Sequence, residues 1–258
     1  MIFNVEFIFF ILVLIRISGI FFFSPFFSNS AISARVRVGF SFFVAFLVFN
    51  VIPKDYKFLE NIDFIMFTIL IFKELIIGLL IGYFMALVFS VIQIAAEISS
   101  TSMGFMMANT FDPMTQSQTA VLGQMNNLFL LGIFFAYGIH RKIIYYLVET
   151  FNYAKVGQLY YNIDNIAKFF IENFAYYFMV SVQMALPIVG VLLLIDFTLG
   201  ILSRIAPQMN VFFVGMPLKL IVAFIVLIQF APYFVNFSIL IFEKGLLRLY
   251  ELVRISVN

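Results

Sequence analysis

A chain of 258 residues that is 64% hydrophobic, 11% charged and of mean hydropathy +1.10 is an integral membrane protein, because a soluble domain carries roughly twice that charge. No cysteine and a single histidine exclude disulfides and thiolate metal sites and leave little for a metal-dependent enzyme; no cofactor is expected. A net charge of +2 is too small to argue for nucleic acid.

Apolar runs long enough for membrane helices fall at about 7–23, 38–52, 62–98, 121–139, 174–197 and 220–242. The expected fold is all-α, with about six hydrophobic helical segments in long kinked hairpins. The first run follows Glu6 with no basic residue before it and is interrupted by Arg16, unlike a cleaved signal peptide, so it is expected to remain. Trp is absent, and seven of twelve tyrosines lie between Tyr145 and Tyr177, which marks that stretch as interfacial or aqueous.

The third run places Glu74, Gly78, Gly82 and Ala86 on one helical face at steps of four. Gly78 and Gly82 form a small-xxx-small pair that lets another backbone approach closely. Lys73 and Glu74 point about 100° apart and do not pair with each other, so each is expected to have a partner elsewhere or to lie at an aqueous boundary. Arg16, Glu97 and Asp196 are further ionisable groups in or beside apolar runs. A charge at membrane depth costs roughly 2.5–3.5 kcal/mol, so these face protein or water. Pairing within the chain or with another subunit, a proton relay, and helix ends misplaced by hydropathy are the three open readings.

Between the third and fourth runs lies Ser99–Thr119, which holds four of the twelve methionines and one charge, Asp112. Ordinary membrane-protein loops are richer in charge. Such a soft, uncharged segment suits the lining or closure of a pore. The fifth run contains Pro187 followed by Gly190, a kink that either packs or lines a site. Asp196–Lys219 then reads as a tight helical-hairpin connection, with Arg204, Pro207, Gln208 and Pro217, and Asn210 placed to cap a new helix. No nucleophile elbow, zinc or phosphate-loop motif is present, and His140 beside Arg141 and Lys142 reads as a solvated helix end.

If all six runs cross, Lys54, Lys57, Arg141, Lys142, Lys155, Lys168, Lys244, Arg248 and Arg254 share one side with both termini. Arg35, Arg37, Arg204 and Lys219 fall on the other, which favours cytoplasmic termini.

Four stretches in order resemble the FliR family, the R subunit of the flagellar and type III secretion export gate, with its injectisome SctT-like counterpart. They are Arg16–Gly19 with Pro25 and Ala34–Val38, then Glu74, Gly78, Gly82, Gln93, Glu97, Gly104 and Asp112-Pro113. Gly138, His140, Thr150-Phe151 and Gly157 follow. Leu186-Pro187, Asp196, Gly200, Arg204, Ala206–Asn210, Gly215 and Pro217–Lys219 form the most specific block. Ser33 departs from the family's usual proline and Ala96 from its usual glycine, and no proline precedes Gly157.

The resemblance implies one export-gate subunit with a P-like part at about 1–175 and a Q-like helical hairpin at about 176–258. It implies assembly with P-type and Q-type subunits (FliP, FliQ), and with FlhB and FlhA, in the bacterial inner membrane at the flagellar basal body. Unfolded proteins would pass through the channel so formed. It implies that the central loop plugs the closed channel, here Gly104, Met106, Met107, Phe111, Asp112, Pro113 and Met114. It also puts the hairpin of Arg204, Pro207, Gln208, Asn210, Pro217 and Lys219 at the cytoplasmic entrance, opposite to the basic-residue count. The alternative is a small-solute secondary transporter or ion channel, which the buried charges and proline-broken helix suggest.

Overall fold

The structure is a computed structural model that describes residues 5–24, 33–59, 62–104, 128–157, 162–208 and 210–256. The described residues form seven α-helices: α1 (Val5–Phe23), α2 (Ala34–Val51), α3 (Phe64–Ser102), α4 (Leu128–Ala136), α5 (Ile139–Tyr153), α6 (Ile163–Ile205) and α7 (Val211–Ile255). A single 3₁₀ turn, Lys57–Leu59, precedes α3. Five helices are long and apolar enough to cross a membrane, and α4 with α5 passes as a sixth, broken span. This is the all-α membrane architecture expected from the hydropathy.

The last two helices run far beyond their apolar cores. At 1.5 Å per residue, the 43 residues of α6 and the 45 of α7 extend about 65 Å, twice the thickness of a hydrocarbon layer. The added turns are polar: α6 begins through Asp164, Lys168 and Glu172, and α7 ends through Glu243, Lys244, Arg248 and Arg254. Helix α5 has no counterpart among the apolar runs. Its buried residues Ile139, Leu147, Thr150 and Phe151 recur on one face, while Arg141, Lys142 and Tyr145 are exposed. An amphipathic helix of that kind has too low a mean hydropathy to register as a span on its own. The residue before it, Gly138, takes φ +64°, which ends the preceding apolar run.

The chain divides into two compact units. The first comprises Met1–Phe89, Gly138–Phe174 and Phe242–Asn258. Here α1 packs on α2 through interleaved phenylalanines, with Phe10 edge-on to Phe42 and Phe49 and Phe21 edge-on to Phe40. The C-terminal part of α7 lies against α3 and α5. Phe242 and Phe89 have ring centroids 4.6 Å apart, Tyr250 meets Tyr146 and Tyr153, and Lys142 pairs with Glu243.

The second unit comprises Ser90–Tyr137 and Ala175–Ile241. Its core joins Met103 of α3 to Ile188 and Leu192 of α6 and Ala223 and Val226 of α7. The two long helices form an antiparallel hairpin, the first ending at Ile205 and the second beginning at Val211. The connection is thus much shorter than Asp196–Lys219. Pro217 lies inside α7, as does Pro232, and α6 continues through Pro187. Neighbouring helices and local adjustment re-satisfy a carbonyl freed by proline in such helices. Asn210 stands immediately before α7, and its carbonyl accepts the Phe213 amide at 3.1 Å.

Candidate functional site

In the first unit the glycine stripe and the two opposite charges of the apolar runs meet. A Cβ built on Gly78 would lie 2.3 Å from the Arg16 carbonyl oxygen, and one on Gly82 would lie 2.5 Å from that of Ile20. Gly19 answers from α1, its Cβ position 3.1 Å from the Leu75 carbonyl oxygen. The pairings 16–78 and 20–82 advance together, so α1 and α3 run parallel with backbones in contact. Glu74 lies one turn before Gly78 on the same face, which brings it to Arg16.

Both side chains are fully buried. Arg16 Nε donates to Glu74 Oε2 at 2.6 Å, and Nη1 donates to the Ala154 carbonyl at 2.7 Å. The Gly157 amide donates to the other carboxylate oxygen, Oε1, at 2.8 Å. The Phe151 ring lies 4.2 Å beneath the guanidinium, a cation–π contact. Gly157 takes φ +80°, and the Phe58 ring stands 2.4 Å from where a Cβ would be. One ion pair therefore ties α1, α3 and the turn after α5 together. Sealed behind protein donors and acceptors, it acts as a clasp rather than a surface for a ligand. Within the Arg16 guanidinium, Nη2 is left without a hydrogen-bond partner among the described residues.

The other candidate residues are dispersed. Asp196 of α6 forms an ion pair with Lys219 of α7, bridging the hairpin of the second unit, with side chains 47% and 18% exposed. Gly215 lets the same helices close, its Cβ position 2.7 Å from a methyl of Leu199. Arg204, Pro207, Gln208, Asn210 and Pro217 are exposed at or near the turn, and Ala86 is half-buried on α3. Of the three charges expected to be buried, Arg16 alone is: Asp196 is nearly half exposed and Glu97 is exposed on α3, where the apolar run continues on the helix's other faces. His140 is half-buried as the second residue of α5. Gly104 takes φ +87° just past α3, and its amide bonds the Thr101 carbonyl at 3.1 Å, a left-handed helix stop. Met106, Met107, Phe111, Asp112, Pro113 and Met114 lie outside the described residues.

The second unit also holds an apolar hollow of about 620 Å³. Its walls include Ala96, Ser99, Met103, Phe129, Pro187 and Phe234, and among the described residues no charged one lines it. The Ser99 and Ser100 hydroxyls are turned away to the carbonyls of Ala95 and Ala96 at 2.8 Å. Sequence reasoning did not anticipate Lys219 as the partner of Asp196, nor the Ala154 carbonyl as a partner of Arg16. The first sits at a proline-flanked position with no helical spacing to Asp196, and the second is a backbone group. Among the described residues no group of acidic or histidine side chains is arranged to hold a metal ion.

Fold and site together define a polytopic α-helical membrane protein whose buried charges serve packing. Residues 7–245 match the family described as Bacterial export proteins, family 1, and the chain belongs to that family. It is 37% identical over 221 residues to the flagellar biosynthetic protein FliR of Bacillus subtilis (strain 168), covering 85% of this chain and 84% of that one. It is 26% identical to FliR of Escherichia coli (strain K12), covering 90% of this chain and 87% of that one. The surface presentation of antigens protein SpaR of Shigella flexneri is 30% identical, with 83% of this chain and 82% of that one covered.

Proposed function

We propose that the protein is a membrane subunit of a type III export gate, which with P-type and Q-type subunits (FliP, FliQ) forms the channel for unfolded flagellar or virulence proteins. The family match across residues 7–245 carries this reading. FlhB and FlhA are the further partners, the bacterial inner membrane at the flagellar basal body is the location, and no catalysis is assigned. Residues of about 1–175 act as the P-like part and about 176–258 as the Q-like hairpin.

The long helices support the reading. Exposed Leu193, Leu194, Phe197 and Ile201 of α6 and Phe213, Ile221, Phe224 and Ile225 of α7 leave the hairpin bare on its outer faces. A solute transporter needs polar groups converging on a cavity, and among the described residues the wall of the hollow holds no charged side chain, its polar ones being Tyr233 and the two serines whose hydroxyls bond their own helix.

In this reading the Met-rich segment plugs the closed channel. Met106, Met107 and Met114 are flexible and polarizable enough to block ions and then to yield to chains of any sequence. Native mass spectrometry of the chain expressed alone and with P-type and Q-type subunits tests assembly. A discrete hetero-oligomer is expected, and a well-behaved monomer that ignores those subunits overturns the proposal. Deleting residues 106–114 is expected to make vesicles leak small ions, and an unchanged leak removes the plug.

A further inference from the structure

The exposed face of α3 changes chemistry along its length. From Phe64 to Tyr83 its exposed residues include Ile65, Ile69, Phe72 and Ile76, ending in Tyr83. After Tyr83 no large apolar residue of α3 is exposed, and the exposed positions become Gln93, Glu97 and Thr101. Spacing of four puts these three on one stripe. The helix has 39 residues, about 58 Å at 1.5 Å each, against a hydrocarbon thickness of about 30 Å. Phe64–Tyr83 alone fills that thickness, with a tyrosine at its end as membrane interfaces favour.

Glu97 decides the environment of the other half. The hydroxyls of Ser99, Ser100, Thr101 and Ser102 all donate to the carbonyl four residues back, at 2.8–2.9 Å, so they demand nothing from outside the helix. A carboxylate has no such recourse. Among the described residues no basic side chain lies within ion-pair distance of it. Lipid would cost roughly 2.5–3.5 kcal/mol. A protein partner would be expected to meet an aromatic or arginine anchor, and this stripe exposes none.

We propose that Gln93, Glu97 and Thr101 face a water-filled passage, with Glu97 presenting a negative charge to cations and to basic side chains of a passing polypeptide. That the passage carries polypeptide rests on the export reading; that the stripe is wet does not. The chain contains no cysteine, so single substitutions report without background. Gln93→Cys, Glu97→Cys and Thr101→Cys, with Ile69→Cys and Phe72→Cys as references, are introduced into the full chain. The chain is co-purified with its subunits into nanodiscs, which leave both faces open. Each is treated with a charged methanethiosulfonate, and labelling of this chain is followed by mass spectrometry.

A thiol reacts as the thiolate, which forms in water and is suppressed in apolar surroundings, so labelling at 93, 97 and 101 is expected to be at least about tenfold faster than at 69 and 72. Equal, slow labelling at all five overturns the proposal, whether lipid or a partner covers the stripe. If Glu97→Cys fails to assemble, the other two positions decide. Slow labelling in a complex that still forms refutes the wet stripe alone. Failure of the native chain to join its subunits refutes the export reading instead.

Discussion

The α1–α3 crossing and the α6–α7 hairpin solve the same problem differently. Both bring apolar helices together through a glycine and an ion pair. In the first, backbone meets backbone, and Arg16 and Glu74 are fully buried with donors and acceptors from three segments. In the second, Gly215 meets the tip of a leucine side chain, and Asp196 is nearly half exposed beside Lys219. Helices in lipid gain little from hydrophobic burial and depend on close packing and satisfied polar groups. The first region supplies close packing and, Arg16 Nη2 apart, hydrogen-bond partners for its buried charges from its own chain. The second supplies less, and the outer faces of its helices remain apolar and bare, the condition of a surface completed by lipid or neighbouring subunits.

The largest effect is expected at the backbone contact. Gly78→Leu places a Cβ 2.3 Å from a carbonyl oxygen, where no flexible side chain can yield. Overpacking of that kind costs upward of about 3 kcal/mol, and the chain should fail to accumulate in membranes by immunoblot. Gly215→Ala meets only a leucine methyl, which can rotate, and should accumulate near the native level. Equal loss at both positions would erase the distinction between the regions.

The ion pair comes next. Arg16→Met leaves Glu74 buried and unpaired, which costs about 3–5 kcal/mol. Arg16→Met with Glu74→Leu removes both charges and should recover part of that loss, though not all, because the Ala154 carbonyl and Gly157 amide lose partners worth about 1–3 kcal/mol. The thermal midpoint of the assembled complex is the measurement. A double variant no better than the single one would show that the pair does more than balance its own charges.

Much of this was legible in the sequence and some of it was not, for definite reasons. Steps of four made the Glu74–Gly78–Gly82 face readable, because a helix of 3.6 residues per turn repeats it without tertiary information. Which helix would dock there was not readable, since Arg16 lies 58 residues from Glu74 and any small-residue face is a possible match. Helix α5 was missed because hydropathy averages over both faces of an amphipathic helix. The ends of α6 and α7 were missed because hydropathy locates lipid contact, while the backbone ladder continues into water through Lys168 and Glu172 or Lys244 and Arg248. The proline-rich stretch from Asp196 was read too broadly as connection, since Pro217 is tolerated within α7.

The smallest effect on stability is expected at Asp196 and Lys219. Their pair is partly exposed, and exposed pairs are worth about 0–1 kcal/mol and weaken as salt screens them. Asp196→Asn with Lys219→Gln should therefore move the thermal midpoint of the complex little, and less still at high ionic strength. The salt dependence separates two origins of any larger effect. A loss that fades with salt is electrostatic and belongs to the hairpin surface. A loss that persists means these side chains are covered in the assembled protein, where water no longer screens them. In that case the hairpin resembles the α1–α3 crossing only after assembly, with neighbouring subunits providing the enclosure that the first region builds from its own residues.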